Sequence, residues 1–391
     1  MTDLFEEANT LFESMRALRR DFHRHPELGF QEVRTSSIVA QTLRELGLEV
    51  TTGIGKTGVV GMLEGQRAGP VVLLRFDMDA LPVHEETGAD YASQNPGVMH
   101  ACGHDGHTAV GLTVAKLLHA HSQNMAGSVK LVFQPAEEGL GGAQAMIDDG
   151  VLESPSPDFA LALHLWNEKP LGWLGIHAGP VMAASEIFKV SLTGKGGHGA
   201  SPHLSVDPVL AAAHVVTALQ GIVSRNIAPL EAAVVSVTSI RGGEAFNVIP
   251  STVEMLGTIR TFLPEVRQRA LERFPQIVEG VAGGMGCQVN VEITSITPAV
   301  VNEARIAQGV EEAARQLWPG QPVDRDFQSM VSEDMALMMQ RVPGCYFFVG
   351  SANPAKGLDA PHHHPRFNID EDALPRAAAL MASSAVHLLG D

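Results

Sequence analysis

Two spacings of apolar residues recur along the chain, short near-continuous runs and longer helical stretches. Val71 to Phe76 is such a run, bounded by Gly69-Pro70 and Asp77, with the length and composition of a buried strand. Thr108 to His121 then carries Val110, Leu112, Val114, Leu117 and Leu118 at mostly helical spacing, and Val129 to Phe133 is a second strand-like run. Strand, helix, strand in that order predicts a parallel sheet with crossover helices. Phe159 to Leu163 and Cys345 to Val349 read as further strands, Ala304 to Leu317 and Ala373 to Leu389 as helices, and an amphipathic helix opens the chain.

The stretch from Ser185 to Ile296 follows a different grammar. Ile187 to Leu192 reads as a strand, Val206 to Arg225 as a helix opened near Pro208, Ala233 to Ile240 and Val253 to Phe262 as strands, Pro264 to Val281 as a helix and Cys287 to Thr294 as a last strand. The order β-α-β-β-α-β is that of a ferredoxin-like split βαβ unit. The strand pattern outside stops before this stretch and resumes after it. The expected fold is therefore α/β: a larger domain with a parallel sheet and crossover helices, interrupted by an inserted ferredoxin-like α+β satellite domain. The expected bounds are 1–184 and 297–391 for the two parts of the larger domain and 185–296 for the satellite.

At 391 residues, with 45% hydrophobic and 18% charged, the chain has ample material for two cores and is not of disordered composition. Its 27 Lys and Arg stand against 44 Asp and Glu, a net charge of −17 with the acids scattered. Such a surface repels a phosphate backbone and excludes nucleic acid as a partner. It does not exclude a small carboxylate, because the field is screened over about 8 Å at physiological salt and local cations decide binding in a cleft. No run of about 18 apolar residues predicts a membrane span, and the N-terminal residues lack the pattern of a secretory leader. Three cysteines, Cys102, Cys287 and Cys345, are too few for a disulfide framework, and a reducing cytoplasm is the expected compartment.

The candidate chemistry collects where predicted strands end. Val71 to Phe76 leads to Asp77 and Asp79; the helix after it is preceded by His100-Ala101-Cys102-Gly103-His104-Asp105-Gly106-His107; Val129 to Phe133 leads to Glu137-Glu138; Phe159 to Leu163 leads to His164; and Cys345 to Val349 leads to a loop with His362, His363 and His364. Parallel strands gather their carboxyl ends on one edge. Each group has an ordinary explanation by itself: Asp105 as a helix cap with Cys102 a small buried residue, Glu137-Glu138 as acids at a helix start, His164 as a core histidine, the histidine run as a solvated loop. Their coincidence favours ion binding, since thiolate and imidazole are preferred ligands of divalent transition metals. Cys102, His104, Glu138, His164 and one histidine of 362–364 are enough for two ions if one ligand, such as a thiolate, bridges. Glu137 is then the second acid of its pair, placed to act as general base toward a water activated by the paired metals.

The ordered motifs Asp77-Met78-Asp79-Ala80-Leu81-Pro82, Met99 to His107, Gln134-Pro135-Ala136-Glu137-Glu138-Gly139, Ala162-Leu163-His164, Gly196-Gly197-His198-Gly199-Ala200 and His363-His364-Pro365-Arg366-Phe367 resemble the dinuclear-metal aminoacylase and carboxypeptidase family. Within it they are most similar to the amidohydrolase branch of hippurate hydrolases and auxin-conjugate hydrolases. The resemblance runs from Phe22-His23-Arg24-His25-Pro26-Glu27-Leu28 to the C-terminal helix. It implies Cys102 as the bridging ligand, His104, Glu138, His164 and His363 as the others, Glu137 as the general base and Asp79 as the acid standing behind the ligands. Where the wider family has a metal-binding histidine this chain has Asp77, and it has Cys102 in place of an aspartate; His104 takes over the missing imidazole, and Asp77 is left out of the ligand set.

By the same likeness His198, in a glycine-rich turn, matches the histidine that steadies a developing oxyanion, and Asn247 and Arg260 match groups that hold a substrate carboxylate. A turn histidine and a strand-surface charge are their ordinary alternatives. The resemblance implies two divalent ions per subunit, Zn²⁺ or Mn²⁺, with Ni²⁺ or Co²⁺ also suited to these donors. It further implies that the larger domain is a catalytic domain with a mixed, largely parallel sheet flanked by helices, and that the protein is a homodimer, with the satellite as lid and dimerisation element and a small N-acyl amino acid as substrate. The expected reaction is hydrolysis of the amide bond of N-acyl or N-aroyl amino acids such as hippurate, by a hydroxide bridging the metals. A dipeptidase or carboxypeptidase of the same family is the nearest alternative, and a metal-stabilised binding protein without catalysis the next. A zinc deaminase is disfavoured, because no His-x-Glu with Pro-Cys-x-x-Cys surrounds Cys102.

Overall fold

The apolar runs become the strands of one mixed sheet in the computed structural model, which describes residues 4–390. In spatial order its strands are Glu49–Ile54, Gly58–Glu64, Ala126–Gln134, Arg67–Asp77, Phe159–Pro170, Gly344–Ala352 and Leu174–Gly175. The four from Ala126–Gln134 to Gly344–Ala352 run parallel, and the outer strands join them antiparallel. Gly344–Ala352 is buried at every position, as a parallel strand covered on both faces must be. The helix Ala373–Leu389 packs on Arg67–Asp77 and Phe159–Pro170 and against the helices His104–His121 and Ala304–Leu317. Val72, Leu74, Leu161, Phe347, Leu112 and Leu374 are among the side chains that fill this core.

Strand register fixes the functional edge. Asp77 pairs with Gln134, Arg75 with Ala162 two residues before His164, and Phe348 with His164 itself. The strand ends and the loops that follow them therefore lie side by side at the carboxyl edge.

The second sheet has the order Ala233–Arg241, Thr252–Thr261, Ala184–Thr193, Gln288–Thr297, antiparallel throughout. With helices Pro208–Gly221 and Pro264–Gly284 it forms the ferredoxin-like α+β satellite. Phe188, Val190 and Leu192 alternate onto the face that packs against Ala211, Val215, Phe274 and Val278. Asp207 caps the first helix through Val209 and Leu210 N–H groups, and Pro208 occupies its first position, the arrangement those residue types favour. The residues fall into two compact units, one drawn from Met1–Val181, Val301–Gln328 and Asp334–Asp391, the other from Met182–Val300 and Ser329–Glu333. The short return Ser329–Glu333 belongs to the smaller unit, which it joins through the Ala183 N–H donating to the Val331 carbonyl.

Two local expectations change. The crossover helix starts at His104, not Thr108, because Gly103 adopts a φ of 94° that lets the chain enter the helix one turn earlier. His164 lies inside its strand, which runs on to Pro170, because Gly344–Ala352 continues to pair with it beyond Leu163. Among the described residues no helix is long and apolar enough to cross a membrane.

Candidate metal centre

The loops at the carboxyl edge are held by buried polar groups. The turn after Ala126–Gln134 is pinned by Glu32, whose Oε1 accepts from the Ala136 N–H at 2.9 Å while its Oε2 accepts from Thr57 Oγ1 at 2.6 Å. Ala136 has a φ of 54°, a conformation uncommon for a residue with a side chain and often found next to functional groups. His363 has a φ of 65°, and its N–H donates to the Ala101 carbonyl at 2.8 Å, which ties the histidine loop to the Cys102 loop.

On this frame the predicted ligands come together. Ligand atoms of Cys102, His104 and His164 lie within 4.8 Å of one another, and so do those of Cys102, Glu138 and His363. Cys102 belongs to both triads. Its Sγ is 3.5 Å from His164 Nε2, and His363 Nε2 is 3.3 Å from Glu138 Oε1. Glu137, with an oxygen in a third such group with His104 and Glu138, stands beside both triads. Asp79 is buried behind them: it accepts from His104 Nδ1 through Oδ1 at 3.2 Å and through its carbonyl at 3.0 Å, and its Oδ2 accepts from the Glu138 N–H at 3.0 Å.

These donors fit a divalent transition ion. His104 Nε2 is buried without a hydrogen-bond partner, while its Nδ1 proton is taken by Asp79. A histidine oriented by a carboxylate on one nitrogen and bare on the other is the arrangement metal-binding imidazoles show. His164 has the same character, its Nδ1 donating to the Leu165 carbonyl at 2.9 Å. Burial holds its pKa well below the usual imidazole range, helped by the neighbouring His107 and His362, so the ring is neutral and able to bind. Burial, with the charges of Glu138, Glu137 and Asp77, pushes the Cys102 thiol well above its ordinary value. Burial also opposes charge on His104, but Asp77, Asp79 and Glu138 outweigh it and raise its pKa to about 10. A cation would discharge this excess of negative groups and release both protons.

Asp77, His107 and Asp105, named from sequence but given no place among the ligands, have buried partners beside the centre. Asp77 is fully buried and ion-paired to Arg75 at 2.6 Å, accepts from His107 Nδ1 at 2.6 Å and lies 3.8 Å from His104 Nε2. His104 and His107 stand three residues apart on one helix, and that spacing was the available signal for their pairing. Asp105, next to His104, is ion-paired with the fully buried Arg19 at 2.8 Å and with His23 Nδ1 at 2.7 Å, not used as a helix cap. Nothing in local sequence announces that partnership.

The remaining predicted residues belong to the smaller unit. His198 is exposed on a two-residue strand paired with Val248–Ile249, and its Nδ1 accepts from the Ala200 N–H at 3.0 Å. Asn247 adjoins it, its carbonyl accepting from the Gly199 N–H at 2.8 Å. Arg260 lies on Thr252–Thr261 and donates to Thr258 Oγ1 and, at 3.3 Å, to the Ile259 carbonyl. His198 and Asn247 are thus neighbours, with Arg260 on a separate strand.

The chain is similar to known proteins over most of its length. The family model described as peptidase family M20/M25/M40 matches residues 73–387. The chain is 40% identical over 373 residues to an N-acetylcysteine deacetylase of Bacillus subtilis, covering 95% of this chain and 96% of that one. It is 40% identical over 374 residues to thermostable carboxypeptidase 1 of Saccharolobus solfataricus, covering 94% of each. The crystal structure of a Bacillus subtilis protein described as a dinuclear metal binding peptidase superposes with a TM-score of 0.85 at 35% identity, covering 97% of this chain and 99% of that one.

Proposed function

The chain belongs to peptidase family M20/M25/M40, a family of metal-dependent amidohydrolases and peptidases, and we propose that it cleaves the amide bond of N-acyl amino acids, releasing a carboxylic acid and a free amino acid. Hippurate-like N-aroyl and short N-acyl substrates come first in this reading. The observation that carries it is the sharing of Cys102 between two triads of ligand atoms. A pair of divalent ions would supply polarisation of the amide carbonyl and a water of lowered pKa.

Cys102, His104 and His164 would hold one ion and Cys102, Glu138 and His363 the other. Asp79 orients His104 and the Glu138 backbone together. Glu137 accepts the proton of the attacking water and passes it to the departing nitrogen. His198 donates to the developing oxyanion, and Asn247 and Arg260 hold the substrate carboxylate, Arg260 through its planar fork. The same reading takes the protein as a cytoplasmic homodimer joined through the smaller unit; its three cysteines are unpaired and buried, which suits a reducing compartment.

A second reading, a dipeptidase or carboxypeptidase, is favoured by the equal identity to the thermostable carboxypeptidase 1 of Saccharolobus solfataricus. Purified protein loaded in turn with Zn²⁺, Mn²⁺, Ni²⁺ and Co²⁺ should hydrolyse a panel of N-acyl amino acids with higher kcat/KM than N-blocked or free dipeptides. The reverse order supports the carboxypeptidase, and silence across the panel with metal bound rejects both.

A further inference from the structure

The imidazoles of His107, His164 and His362 converge on the backbone N–H and C=O of a single residue, Leu165. The Leu165 N–H donates to His107 Nε2 at 3.0 Å. The Leu165 carbonyl accepts from His164 Nδ1 at 2.9 Å and from His362 Nε2 at 3.1 Å, so that both of its lone pairs are used.

These bonds fix where each ring carries its proton. His107 accepts at Nε2 and therefore carries hydrogen on Nδ1, where Asp77 Oδ1 receives it at 2.6 Å. His164 carries hydrogen on Nδ1, leaving Nε2 bare toward Cys102 Sγ. His362 carries hydrogen on Nε2. The ring packing agrees: His164 meets His107 edge-on at 4.6 Å and 80° between planes, and His362 edge-on at 5.0 Å and 80°. Trp166 closes the group, 5.4 Å from His164 and 4.8 Å from His362.

We propose that His107 and His362 are positioning residues which clamp the Leu165 backbone from its N–H and its C=O and thereby hold His164 with Nε2 facing the ion position it shares with Cys102 and His104. The inference rests on the metal-binding reading above. It adds that two histidines outside the ligand set decide the orientation of one inside it. The clamp joins three segments distant in sequence, at 107, 165 and 362, and His362 also anchors the loop that carries His363. Removing His107 leaves the buried Leu165 N–H without its partner, and removing His362 leaves the Leu165 carbonyl to His164 alone, so the backbone that orients the His164 ring is held less firmly.

The test compares the whole protein with His362→Gln, His362→Asn and His362→Leu. A glutamine amide nitrogen reaches the level of Nε2 and can still donate to the Leu165 carbonyl; asparagine falls short of it, and leucine fills space without donating. Metal-free samples are titrated with Co²⁺ against a chelator, following both affinity and the visible and thiolate charge-transfer spectrum. Asn and Leu should weaken binding of the tighter ion by about 10- to 100-fold and change the spectrum, while Gln recovers most of both. His107→Gln, which keeps an acceptor at the Nε2 level, should likewise bind more tightly than His107→Leu. Near-ultraviolet circular dichroism of the metal-free samples checks folding, and the Gln and Asn pair keeps the comparison valid if Leu fails to fold. Wild-type affinity and spectrum in His362→Asn, or equal loss in Gln and Asn, would overturn the clamp. No Co²⁺ binding by the wild type would instead overturn the metal reading beneath it.

Discussion

Asp79 takes the Nδ1 proton of His104 with one carboxylate oxygen, at 3.2 Å, and uses the other for the Glu138 backbone. One buried acid thus sets a member of each ligand triad. Asparagine at this position can accept from only one of the two donors, because its NH₂ end meets the other N–H group. Asp79→Asn should therefore lower metal affinity by about 10- to 100-fold while the fold is kept, measured by chelator competition and circular dichroism. Unchanged affinity would show that Asp79 orients nothing the ions need.

Glu137 is proposed to move a proton and not to bind an ion. Glu137→Gln should retain its metal, counted by elemental analysis, and lose about 10² to 10⁴-fold in kcat. Loss of metal in parallel with activity would instead make Glu137 a ligand.

Metal loading should strengthen as pH rises. Burial disfavours charge on His104, yet the surrounding carboxylates keep its pKa up at about 10 in the metal-free chain, and burial with those same charges keeps Cys102 a thiol. Both must lose a proton to bind, so at neutral pH each proton displaced makes affinity climb by about tenfold per pH unit. Chelator competition across the neutral range reads this slope, and a flat profile would mean that neither group gives up a proton.

Asp105 contributes to stability, not to chemistry. Burial alone would raise its carboxyl pKa, but Arg19 and His23 hold it well below the ordinary value. Its stabilisation is therefore complete above the unfolded carboxylate range and lost as pH falls toward the depressed value. Asp105→Asn removes the nearest counter-charge of the fully buried Arg19, leaving it Glu371 at 3.4 Å and the Asn368 amide oxygen, and should cost about 3 kcal/mol, measured by denaturant unfolding at neutral pH. Near-wild-type stability would mean that Glu371 and Asn368 suffice for Arg19.

Much of the architecture was readable because it rests on local periodicity. The helices Ala304–Leu317 and Ala373–Leu389 coincide with their apolar spacing, and the satellite order follows from its alternating strand and helix patterns. The neighbourhood of Cys102, His104, Glu138, His164 and His363 could be anticipated because parallel strands bring their ends to one edge. The start of the crossover helix was misplaced because a backbone turn at Gly103, not side-chain spacing, decides it. The pairings of Arg19 with Asp105 and of Asp77 with His107 were invisible because buried ion pairs join segments with no periodic relation. The bonds to the Leu165 backbone were equally hidden, since main-chain donors and acceptors leave no trace in residue identity.

Crystals of the metal-loaded protein, measured at the absorption edge of the bound metal, test the shared-thiolate centre most directly. The expected result is two anomalous peaks flanking Cys102 Sγ, one against His104 and His164 and the other against Glu138 and His363. Peaks that leave Cys102 untouched, or none at this edge of the sheet, would contradict it.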